Sequence, residues 1–290
     1  MFTADTRSLR TGLRVEGIDV RGVPRKVWKG EFERMGPKVC AESPIGESEE
    51  SDLLPQVSGP VPASVPQAPW SGGTAIAVWL VSLALSLALG VVLAQLQGLT
   101  GVTIPLVLIT IVGELGFLAP PVFYVVRKGA GLRSLGFRLR GSLKAAALGL
   151  IIALPAWLVN LAVSIPISSI LPPPEWLVDV LQELSPQTPL ELLLIVLATL
   201  MVVAPSEELL SRGFVQQGME NTVGRKRGLL ISSVLFGILH LNPWQGVGAF
   251  FIALLFGYFF QKVNYNVVTP ITAHAVHNSI TFALGFLKVF

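Results

Sequence analysis

From residue 74 to residue 287 the chain is a succession of apolar runs separated by short polar turns. A run of about twenty apolar residues is long enough to cross the hydrocarbon core of a bilayer as a helix. Composition agrees with that reading. The chain is 52% hydrophobic and only 13% charged, whereas a soluble domain carries about 25% charge. The expected fold class is all-α: a polytopic transmembrane helix bundle of about seven to eight spans, with a polar site inside the membrane.

The expected spans are 74–96, 102–126, 145–170, 189–218, 228–241, 246–261 and 267–287, the third broken by Pro155 and Pro166. A shorter or re-entrant eighth segment fits near 176–184. Lys and Arg favour the cytoplasmic side. Arg127, Lys128, Arg133, Arg138, Arg140 and Lys144, then Arg225, Lys226 and Arg227, then Lys262, all fall on one side when seven spans are counted. Glu175, Asp179 and Glu183 fall on the other, and Lys288 is the one basic residue out of place. This makes the protein an integral, multi-pass membrane protein with a cytoplasmic N-terminal tail, read here as residing in a bacterial plasma membrane.

Residues 1–73 are different material, polar and mixed in charge, ending in a Pro/Ser/Val-rich stretch at 55–69. They read as a disordered cytoplasmic tail and linker ahead of a transmembrane domain at 74–290. No charged stub precedes an apolar run near Met1, so no cleavable signal peptide is expected. The formal net charge of +3 gives no reason to expect nucleic acid as a partner. A single cysteine, Cys40, excludes an internal disulfide and a cysteine-based metal site.

Against this background, charge inside a span needs a reason, because an ionisable group at bilayer depth costs roughly 2.5–3.5 kcal/mol on the mildest scale. The fourth span closes on Glu207-Glu208, with Arg212 four residues further on. Positions four apart share a helix face, so Arg212 can offset Glu208 and leave Glu207 free to point elsewhere. A structural ion pair is the competing explanation. All three histidines, His240, His274 and His277, lie in the last third of the chain. Counted from the cytoplasmic helix ends at about 1.5 Å per residue, Glu207, His240 and Asn278 each sit about 16–18 Å deep, with His274 one turn nearer the cytoplasm. A carboxylate and a histidine around one water can act as base and proton relay, and a histidine N–H with an asparagine amide can stabilise an oxyanion. Phe236, four before His240, can wall the imidazole from lipid. Glu114 in the second span faces the bundle interior, where a structural role is favoured. Ser211 reads as a helix serine bonded to its own backbone rather than a nucleophile. His240, His274 and Glu207 would also suit zinc, and spacing alone leaves that open, although no His-Glu-x-x-His run is present.

Taken together, Glu207-Glu208-x-x-x-Arg212, Phe236-x-x-x-His240 and His274-x-x-x-Asn278 resemble the three-motif pattern of the CPBP family. These are CAAX proteases and bacteriocin-processing enzymes, also called Abi or type II CAAX prenyl endopeptidase-like intramembrane proteases. Leu132-Arg133-Ser134-Leu135-Gly136-Phe137 is similar to the segment that precedes the helices of that family, so the resemblance covers about 131–290. It implies an intramembrane endopeptidase acting on a membrane-embedded or lipidated peptide or protein. Glu207 would activate water with His240 assisting, His274 and Asn278 would form the oxyanion hole, and Glu208 and Arg212 would hold the site. His277 matches no family position and reads as a neighbour of Asn278. No cofactor is implied, and no metal ligand is assigned. The alternatives are a non-catalytic membrane scaffold or bacteriocin-immunity factor, which intact motifs argue against, and an ion-coupled transporter, which would show inverted repeats.

Overall fold

The lipid-facing surface of this chain is apolar almost throughout, and large side chains such as Leu80, Leu150, Ile151 and Met201 stand exposed on long helices. A computed structural model describes residues 68–138 and 140–288, within a unit spanning Pro60–Phe290. The expected tail and linker at 1–73 lies outside the described residues apart from 68–73. Among the described residues the regular structure is helical, with no strand. In chain order the helices are α1 (Gly72–Thr100), α2 (Leu106–Arg127), α3 (Ser142–Ile170), α4 (Glu175–Glu183), α5 (Pro189–Val223), α6 (Arg225–Leu239), α7 (Pro243–Lys262) and α8 (Val268–Phe286). A short 3₁₀ turn, Leu132–Leu135, lies between α2 and α3.

Each expected span is helical, and the segment suspected near 176–184 is the nine-residue helix α4. Five helices (α1, α2, α3, α5 and α7) are long and apolar enough to cross a membrane. Helix α6 has 15 residues and rises only about 22 Å. Helix α8 has 19 residues but gives part of its apolar surface to His274, His277 and Asn278. The expected break in the third span does not occur, since α3 runs unbroken through Pro155 and Pro166. Neighbouring helices and local adjustment of the ladder allow a membrane helix to keep proline.

Helix α5 is the centre of the bundle, packing against α1, α2, α6, α7 and α8. With 35 residues it is roughly 50 Å long, more than the hydrocarbon core of about 30 Å, so it must tilt or emerge. It is not a uniform α-helix. Thr199–Val203 and Leu209–Gln216 are π-helical, and the α-helical turn Ala204–Glu208 sits between them. Pro205 lies in that turn, lacks an N–H and crowds the carbonyl one turn back; a widened turn relieves both problems. The first of the described residues dock here too. Trp70 stacks on Phe214 with ring centroids 4.4 Å apart, and its indole N–H donates to the Phe214 carbonyl at 2.9 Å.

Two features set the position of α8, which carries His274 and Asn278. Helix α3 approaches it at Gly149, where a Cβ would lie 2.6 Å from the Thr269 carbonyl oxygen and 2.7 Å from Thr272 Cβ. The turn before α8 holds Asn264 and Tyr265 at φ of 53° and 60°, an uncommon region for side chains of this size. The buried Glu220 anchors that turn. Its Oε2 accepts from the Tyr265 hydroxyl at 2.7 Å, while Oε1 accepts from Gln216 and Gln261 amides, both at 2.7 Å. Burial, and then the Glu220 carboxylate, push the Tyr265 phenol above its ordinary range.

Candidate active site

Three helices bring the expected residues together. The α-helical turn of α5 supplies Glu207 and Glu208, and the π segment after it supplies Arg212. Phe236 lies on α6, and His240 closes that helix as its C-cap. His274 and Asn278 lie one turn apart on α8.

The core of the cluster is a buried ion pair continued by an ordered chain of hydrogen bonds. Arg212 Nε lies 3.0 Å from Glu208 Oε2, with both side chains essentially inaccessible. The spacing of four therefore does put the cation on the second carboxylate, as the sequence suggested. The guanidinium also lies over the Phe236 ring, 4.4 Å from its centroid, which adds a cation–π contact in a water-poor setting. Glu208 Oε1 is 2.9 Å from His274 Nδ1. A carboxylate can only accept, so His274 carries its proton on Nδ1. Its Nε2 is then an acceptor and takes the Asn278 amide at 3.1 Å. Asn278 Oδ1 in turn accepts from His277 Nδ1–H at 2.9 Å. The direction of every hydrogen bond, from His277 to Glu208, follows from the two ends.

Glu207 stands apart from that chain, as its position in the helix required. Its side chain keeps 15% of its surface accessible, against none for Glu208. Its Oε2 lies 3.9 Å from His274 Nε2, beyond a direct hydrogen bond. His240 donates from Nδ1 to the Phe236 carbonyl at 3.2 Å, which leaves Nε2 as a free acceptor. Phe236 separates the two imidazoles, its ring centroid 5.4 Å from His240 and 5.9 Å from His274. His240, His274 and Asn278 line one cavity of about 460 Å³, with Leu177 and Leu181 of α4 along its wall. The cavity can present imidazole nitrogens and an amide hydrogen to a carbonyl oxygen, while Glu207, not one of its lining residues, lies behind His274 at 3.9 Å.

The zinc trio does not converge. His274 has both ring nitrogens occupied by Glu208 and Asn278. Among the described residues no group of three or more His, Cys, Asp or Glu is placed to hold a metal ion.

Residues 189–280 match the family model described as type II CAAX prenyl endopeptidase Rce1-like. Over these residues the chain is similar to Rce1-like type II CAAX prenyl endopeptidases. No curated protein and no solved structure matches the chain. The matched region, 189–280, starts at the first residue of α5 and ends two residues after Asn278, so it contains all seven residues of the cluster. Two neighbours carried weaker signals in the sequence. His277 shows its role only through its bond to Asn278. Glu114, on α2 and outside the matched region, touches Ser206 across 92 positions of sequence, a pairing that no local pattern encodes.

Proposed function

We propose that the protein is an intramembrane endopeptidase that hydrolyses a peptide bond of a membrane-associated or lipidated substrate, with CAAX-type processing as the activity the similarity suggests. The observation that carries this reading is the partly accessible Glu207 side chain, outside the Arg212–Glu208 ion pair and the Glu208–His274–Asn278 hydrogen bonds. Glu208 is committed to its Arg212 ion pair and its His274 hydrogen bond while Glu207 has neither, so Glu207 is the base. It takes a proton from a water that attacks the scissile carbonyl, and His240 Nε2 helps to hold that water. Asn278 gives one amide hydrogen to His274 and has a second for the developing oxyanion. His274 fixes the Asn278 amide in that orientation, and it becomes a second donor when Nε2 is protonated, as an imidazolium facing Glu208. No cofactor enters these steps.

In the topology we propose, α6 and α8 complete seven crossings, the tail lies in the cytoplasm and the membrane is a bacterial plasma membrane. The test of function is direct. Purified protein in proteoliposomes is given a prenylated peptide ending in a CAAX box, and new termini are read by mass spectrometry. We expect a single cleavage by wild type and intact, co-purifying peptide with Glu207→Gln. Equal processing by both proteins would overturn the assignment.

A further inference from the structure

Glu114 is a buried carboxyl with 8% of its surface exposed, set on α2 against the Ala204–Glu208 turn of α5. Ser206, the residue before Glu207, is completely buried, and its Oγ touches Glu114 Oε2. The same Oγ lies 2.8 Å from the Val202 carbonyl and 3.0 Å from the Val203 carbonyl. A hydroxyl has one hydrogen, yet all three of these neighbours accept if Glu114 is ionised. Glu207 adjoins Ser206 on the same α-helical turn, and the Glu114 and Glu207 carboxyls act on each other electrostatically. Two carboxylates side by side in a buried site cannot both stay charged cheaply, and such pairs hold one proton between them. The cations nearby are already committed: Arg212 is paired with Glu208, and His274 donates its Nδ1 hydrogen to Glu208. Glu207 Oε2 has no hydrogen-bond partner of its own. A single proton placed on Glu114 Oε2 donates to Ser206 Oγ, lets Ser206 spend its hydrogen on the helix backbone, and leaves only one charge on the Glu114–Glu207 pair.

We infer that Glu114 is the proton partner of Glu207, a positioning residue from outside the matched region that shares one proton with the base. This rests on Glu207 being the base. The proton count closes. In the resting site the pair holds one proton, on Glu114. As the water oxygen bonds the carbonyl carbon, the carbonyl π pair moves to oxygen and the water proton goes to Glu207, so the pair holds two. When the C–N bond breaks, its electron pair leaves with nitrogen, which takes one proton from the pair and returns it to one.

The experiment uses the full chain in proteoliposomes with the peptide assay above. Glu207→Gln is the reference, and wild-type cleavage by it would defeat the underlying reading whatever Glu114 does. With Glu207→Gln inactive, Glu114→Gln preserves shape and a donor but cannot exchange a proton. We expect kcat to fall about 10–100-fold with KM within about two-fold, and Glu114→Asp to recover part of the loss. The proton inventory in H₂O/D₂O mixtures should be curved in wild type and linear in Glu114→Gln, a change that a packing role would not produce. Wild-type kcat in Glu114→Gln, or an unchanged inventory, would overturn the inference. A measurement on the wild type alone guards against a variant that fails to fold. Dicyclohexylcarbodiimide, an apolar reagent selective for protonated carboxyls, should form an adduct at Glu114 or Glu207 within the membrane. Absence of an adduct at both would count against the shared proton.

Discussion

Replacing Arg212 by methionine should be among the most damaging single changes outside the reacting groups. The guanidinium is 1% exposed, sits 3.0 Å from a carboxylate with no exposure, and covers the Phe236 ring at 4.4 Å. Removing one member of a buried ion pair leaves the other charge uncompensated, at a cost of about 3–5 kcal/mol. For a folded unit of this size that corresponds to a fall of roughly 6–20 °C in apparent unfolding temperature. The measurement is thermal unfolding in one detergent at one scan rate, on protein of matched purity. Arg212→Met combined with Glu208→Gln removes both charges, and the new amide carbonyl can still accept the His274 Nδ1 hydrogen. The double variant should therefore recover at least half of the lost stability. A single variant within about 1 kcal/mol of wild type, or a double variant no better than the single, would refute the ion-pair account.

Further outcomes follow from the same geometry. Asn278→Ala should lower kcat by about 10²–10³-fold with little change in KM, as removal of an oxyanion donor does, measured in the proteoliposome assay. Gly149→Ala should lower activity while the protein still inserts, because its Cβ would press on the Thr269 carbonyl at 2.6 Å and displace α8; a fully active variant would contradict that packing. Because Glu207, His240 and His274 do not converge, cleavage should persist in excess EDTA; loss restored by zinc would reassign Glu207 as a ligand. The raised Tyr265 phenol stabilises the fold fully below the unfolded-state value of about 10, and that contribution should fade at higher pH. Tyr265→Phe should flatten the alkaline loss of unfolding temperature, and an unchanged slope would sink the assignment.

Much of the architecture was legible because a bilayer accepts so few solutions. Apolar runs long enough to cross announced helices wherever they occurred, and charge inside them marked the site. Glu208 and Arg212 were readable as a pair because four residues make one helical turn. His240, His274 and Asn278 could be grouped by depth. What could not be read is whatever depends on two distant segments meeting. The Glu208 to His274 bond spans 66 positions, and the His274 bond to the Asn278 amide closes the far end of the same imidazole ring. Glu114 looked like a structural acid because its partner, Ser206, carries no signal of its own. The π segments around the Ala204–Glu208 turn were equally hidden, since Pro205 signals trouble in a helix without saying how the ladder will adjust. The docking of Trp70 on Phe214 escaped notice because the residues just before it are compositionally linker.

The most direct test of the central claim is the single-turnover rate of Glu207→Gln beside that of Glu207→Asp and wild type, on one lipidated peptide at saturating enzyme. If Glu207 is the base that activates water, Gln should abolish cleavage while binding persists, and Asp should retain a small measurable rate. Cleavage by Glu207→Gln at the wild-type rate would contradict the account.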